Sequence, residues 1–97
     1  MTQPATYAFR LYVADGALNS ALALSRLTAL CREHLPGRHT IEIVDVFKQP
    51  QRALAEGIFL TPTLVKLAPP PVRRIVGTLT QTQNVLLALG LDPVASA

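Results

Sequence analysis

From Tyr7 to Ala14 apolar and polar positions alternate, with Tyr7, Phe9, Leu11 and Val13 on one side and Ala8, Arg10, Tyr12 and Ala14 on the other. A period of two is the mark of a β-strand that buries one face. Asp15 and Gly16 turn the chain, and a helical period follows, with Ala21, Leu24, Leu27, Thr28, Cys31 and Leu35 on one stripe. Asn19 or Ser20 is the expected N-cap of that helix, and Pro36-Gly37 its stop. Residues 39–47, HTIEIVDVF, are rich in β-branched side chains and predict a second strand. Pro50 suits the first turn of a short helix that runs to about Glu56 and stops at Gly57. Two short strands are expected near 63–67 and 72–77, joined as a hairpin through Pro69-Pro70-Pro71. Thr80 and Gln83 have capping-box spacing and open a last helix along Val85, Leu86 and Leu89, which Gly90 and Pro93 close.

The order strand, helix, strand, helix, strand, strand, helix predicts an α/β domain. Its first βαβ unit requires parallel neighbours and its hairpin antiparallel ones, so the sheet is mixed, with helices flanking it in the thioredoxin-like order βαβαββα. With 97 residues and no internal linker, the chain is one domain, expected to be ordered over about 7–92 with both ends frayed. No apolar run approaches the roughly 20 residues of a membrane span. A single cysteine forms no internal disulfide, so a soluble protein of the reducing cytoplasm is the expectation. The formal charge of +3 comes mainly from scattered arginines without Lys/Arg blocks. That pattern disfavours nucleic acid as a partner and favours an acidic protein surface.

A thioredoxin-type enzyme needs a low-pKa thiolate at the start of its first helix, where the helix dipole stabilises the attacking sulfur. Here that turn reads Ala14 to Asn19 without sulfur, and Cys31 sits on the apolar stripe deeper in the helix. Dithiol exchange is excluded by the count. Thr61-Pro62 stands just before the third strand, where thioredoxin-like folds place a cis-proline beside their binding surface. His34 and His39 flank a turn without partners at a metal-binding spacing, and no phosphate-binding glycine loop is present. Both histidines are expected in solvent, and no cofactor is expected. Arg73 and Arg74, adjacent on a strand, must point to opposite faces. Together with Lys48 and Lys66 they are the candidate contacts to an acidic partner, and edge protection by charge is the alternative reading of the arginine pair.

Several strings in this order resemble one family: LYVA at 11–14, Asn19-Ser20, IVDV at 43–46, Lys48, Pro50-Gln51, TPTL at 61–64, Lys66 and PPPVRRIVG at 69–77. Together, over about 7–92, they resemble the KaiB circadian-clock proteins. The resemblance implies a non-enzymatic regulator of the hexameric KaiC ATPase, acting with KaiA or against the KaiB-like domain of a sensor kinase. A timing or stress role beside KaiC alone is equally implied. It also implies a metamorphic chain that exchanges a self-associated ground state, dimeric or tetrameric, with a thioredoxin-like monomer. Pro62, Pro70 and Pro71 are then the candidate conformational switches, with Ala88 and Gly90 in the segment that changes packing. Ala88 stands where typical members have glycine, and alanine favours helix over glycine by about 1 kcal/mol. Typical members carry basic side chains at the positions of Leu22 and Gly57, and an acidic tail has no counterpart here. A thioredoxin-like oxidoreductase and a self-associating module without an ATPase partner are the alternatives.

Overall fold

The computed structural model of the chain describes residues 5–91. The expected fraying at residues 1–4 and 92–97 lies outside the described residues. Seven elements follow in the order the sequence predicts: β1 (Tyr7–Val13), α1 (Leu18–His34), β2 (His39–Asp45), α2 (Pro50–Ala55), β3 (Thr63–Ala68), β4 (Arg73–Val76) and α3 (Thr82–Ala88). The four strands form one sheet in the order β2-β1-β3-β4. β1 runs parallel to β2, with Leu11 opposite Ile43, and antiparallel to β3, with Leu11 opposite Leu64. β3 and β4 form the antiparallel hairpin.

The alternation of β1 divides the interior into two cores. Phe9, Leu11 and Leu64 meet α1 and α3 through Ala23, Leu27, Cys31, Val85, Leu86 and Leu89. On the other face Tyr12, Val44 and Val65 pack against Ala53 and Ile58 around α2. Because β1 and β3 are the inner strands and have both faces covered, most of their apolar positions on both sides are buried, whereas the edge strand β2 buries only Val44 completely.

Three local details differ from the sequence pattern. The buried stripe of α1 is Ser20, Ala23, Leu27, Leu30 and Cys31, while Ala21 is exposed and Leu24 and Thr28 half-buried. Ala17 rather than Asn19 or Ser20 is the N-cap, without a side-chain cap. Ser20 is buried because its Oγ accepts a hydrogen bond from the Ala14 N–H at 2.9 Å, so it ties the helix to the end of β1. Likewise Gln81 is the N-cap of α3, and Thr80 Oγ1 instead accepts from Arg26 at 3.2 Å. Arg26 also donates to the Thr78 carbonyl at 3.0 Å, which clasps the β4–α3 loop to α1. In that loop Leu79 holds φ at +61°, an uncommon conformation for a branched residue. Its burial in the larger core supplies the compensating contact.

Candidate functional site

The turn that would carry a redox thiol contains none, as the sequence requires. Cys31 is fully buried in the larger core, and burial pushes its thiol up to about 11, so the sulfur is protonated at neutral pH and lacks a thiolate's reactivity. Among the described residues no three metal-ligating side chains converge, and no helix is long and apolar enough to cross a membrane. His39 is not simply in solvent: it is half-buried, and its Nδ1 lies 2.7 Å from the Leu35 carbonyl. His34 is half-buried too, with Nε2 4.0 Å from Glu33.

The four candidate cations separate into three environments. Lys48 is exposed in the turn after β2. Lys66 is not a surface residue: it is 3% exposed, its Nζ donates to the Leu89 carbonyl at 3.3 Å, and the ammonium lies 5.7 Å from the centre of the Tyr7 ring. It shares the face of Leu64 on an inner strand, so it closes the C-terminal end of α3 instead of meeting a partner. Burial first, then the charge of Arg73, lowers its pKa below the ordinary 10.5. The sign of the pH dependence follows: the unfolded chain holds this proton to higher pH than the folded one, so stability rises as pH climbs from the lowered value towards 10.5. We predict that Lys66→Met removes this rise. Urea titrations of both proteins across that window check it, and an equal rise in the variant would refute the assignment.

Arg73 and Arg74 do point to opposite faces, because Arg73 stands opposite Lys66 and Arg74 opposite Val65. The guanidinium of Arg74 reaches the loop after α2, donating to the Glu56 carbonyl and, at 3.5 Å, to that of Gly57. Its Nη2 lies 4.0 Å from the Glu56 carboxylate. Arg73 is exposed and forms no hydrogen bond or ion pair among the described residues. A second network crosses the opposite half of the same face. Glu42 accepts from Arg10 at 2.7 Å and Arg52 at 2.9 Å, and Arg10 reaches Glu56 at 3.3 Å. Hydrogen bonds from Arg52 and Arg10 bring the Glu42 carboxyl down to about 2. The carboxylates on the β2 side of the sheet are thus occupied, while the β4 side retains open positive charge.

Around β4 the surface is also apolar. Phe59 is 83% exposed, and Leu60, Val72 and Val76 are all more than half exposed. This cluster has no sequence period, because Phe59 and Leu60 stand in a loop and only the hairpin brings them beside Val76. Leu22, at a position where typical family members carry a basic side chain, is half-buried, and Leu18 at the start of α1 is the exposed leucine there. The peptide bonds before Pro62, Pro69 and Pro71 are cis, while the bond before Pro70 is not. Pro62 itself is buried, and its carbonyl accepts the Gly77 N–H at 2.9 Å, closing the hairpin. Ala88 is the last residue of α3, and Gly90 follows with φ of +79°.

Comparison with known proteins gives one family. The KaiB domain model matches residues 10–91. The circadian clock protein KaiB3 of Synechocystis is 43% identical over 84 residues, spanning 87% of this chain and 82% of that protein. The circadian clock oscillator protein KaiB of Prochlorococcus marinus strain MIT 9312 is 44% identical over 86 residues, spanning 89% and 82%. Among solved structures, the N-terminal domain of SasA from Synechococcus elongatus superposes with a TM-score of 0.72 at 21% identity, covering 92% of this chain and 87% of that one. Chloroplastic thioredoxin z superposes with the same TM-score at 22% identity, over 86% and 75%. These two likenesses establish the thioredoxin-like fold.

Proposed function

The chain belongs to the KaiB family, and from that premise we propose that it is a regulatory protein which docks on a KaiC-type hexameric ATPase and modulates its timing cycle, without chemistry of its own. The observation that carries this reading is the pairing of family membership with the exposed cationic and apolar surface at β4, beside a helix start that has no thiol. Binding by such a surface needs apolar anchors within a charged rim, and Phe59, Leu60 and Val76 with Arg73 and Arg74 supply both. Lys48, exposed in the turn after β2, is a separate candidate contact, and Lys66 does not take part. KaiA and a KaiB-like sensor-kinase domain are further partners within the reading, which places the protein in the cytoplasm.

The fold-exchange half of the proposal assigns Pro62, Pro70, Pro71, Ala88 and Gly90 to the part of the chain that changes packing. Its support is local: α3 has seven residues and no side-chain cap, so its stability comes from packing more than from its own propensity. The exposed leucines at 18, 54, 60 and 87 support self-association of the ground state. Size-exclusion chromatography with the KaiC-type ATPase of the same genome tests the docking reading. We expect co-elution that depends on the bound nucleotide. Separate elution in every nucleotide state would overturn it.

A further inference from the structure

One edge of the sheet is open in a specific register. Thr63 stands opposite Val76, so Pro62 stands opposite Gly77, and the Gly77 N–H donates to the Pro62 carbonyl at 2.9 Å. Antiparallel pairs alternate between hydrogen-bonded and non-hydrogen-bonded. Counting back from the bonded Gly77, the backbone groups of Ile75 and Arg73 turn towards β3, and those of Arg74 and Val76 turn outward. Among the described residues no strand lies beyond β4. Two N–H and two C=O groups are therefore offered on that edge, the pattern that receives an added strand.

The side chains beside this edge define what would be received. Arg73 and Arg74 put one guanidinium on each face of β4, and only Arg74 has protein partners among the described residues. On the Arg74 face a hollow of about 140 Å³ is lined by Ile58, Phe59, Leu60, Thr63, Arg74 and Val76. It is smaller than the roughly 300–1,000 Å³ of small-molecule sites and suits one aliphatic side chain. A second β4 brought to this edge would gather four guanidinium groups on one two-stranded ribbon, like charge that disfavours self-pairing.

We propose that the β4 edge takes an extended acidic segment of a partner protein, hydrogen-bonded to the backbone of Arg74 and Val76, with carboxylates flanking an apolar residue seated in the hollow. This deepens the docking reading and rests on it, since it names the chemistry of the partner's contact. Period two then applies to the bound segment as well: side chains on alternate positions meet the hollow, and their neighbours reach the other face.

The test uses the isotope-labelled full chain and two synthetic octapeptides, one alternating Glu with Val and one alternating Lys with Val. Amide exchange followed by NMR should slow at least tenfold at Arg74 and Val76 with the Glu peptide, and remain unchanged at Ile75. Arg73→Glu, on the face that the glutamates of this peptide reach, should weaken it at least tenfold. Equal binding of the Lys peptide, or saturation by the Glu peptide without protection of these two amides, overturns the proposal. Concentration-dependent protection of Arg74 and Val76 in the chain alone overturns it too, because the occupant is then a second copy. Repeating the measurement with the ATPase separates the two readings: co-elution without protection sinks the strand-addition inference and leaves docking intact. Absence of co-elution sinks docking, and the peptides alone then decide the chemistry of the edge.

Discussion

Phe9→Ala should lower the unfolding free energy by about 3–5 kcal/mol, a large share of the 5–15 kcal/mol typical of a domain. Phe9 is 1% exposed on an inner strand, with β2 and β3 on either side, and it belongs to the core that joins α1 to α3. No neighbour can close the space without moving a sheet that is hydrogen-bonded on both sides. The cost therefore includes the cavity as well as the lost burial. Phe59→Ala removes an equally large ring from a site that is 83% exposed, and should change stability by no more than about 0.5 kcal/mol. Urea unfolding followed by circular dichroism compares the two. A loss below 1 kcal/mol at Phe9 with an unchanged m-value would mean that the core is not the one described.

Reversing both charges in Arg73→Glu/Arg74→Glu should weaken binding to the KaiC-type ATPase on the order of 100-fold, about 2.7 kcal/mol, because attraction is replaced by repulsion in the charged rim of the exposed patch. Salt separates this from a folding defect. Added salt should weaken the wild-type complex more than the variant complex, since the attractive pairs are what screening removes. Arg32→Glu, at the far end of α1 and likewise exposed, serves as the control with the same single-site change of charge. Arg73→Glu alone disturbs no described hydrogen bond, which keeps the experiment interpretable if Arg74 proves to be needed for its hold on the Glu56 and Gly57 carbonyls. Binding by the double variant within twofold of wild type would remove the arginine pair from the interface.

How much of this was legible in the sequence varied with the range of the determining contacts. All seven elements lie within one or two residues of the predicted positions, because alternation, β-branching and the Pro and Gly stops act locally. The division of β1 into two faces was legible for the same reason, and so were the opposed directions of Arg73 and Arg74. Caps were less legible: Ser20 and Thr80 have the right chemistry, yet each hydroxyl is used elsewhere, by the Ala14 N–H and by Arg26. Lys66 went furthest astray. The string TLVKL gives a cation on a strand, and only the strand order reveals that β3 is interior, so that both its faces are covered. Leu64 and Lys66 share a face, which was the available signal. The apolar patch of Phe59 and Leu60 had no local signal at all, since it is assembled by the return of β4 past a loop.

Lys66 and Lys48 are the only lysines of the chain. With the ammonium of one enclosed beneath Leu89 and Tyr7 and the other exposed, the folded protein offers acylating enzymes a single side-chain amine. Any acetyl or ubiquitin mark on Lys66 would therefore record that the end of α3 had come away, which turns this amine into a built-in reporter of opening.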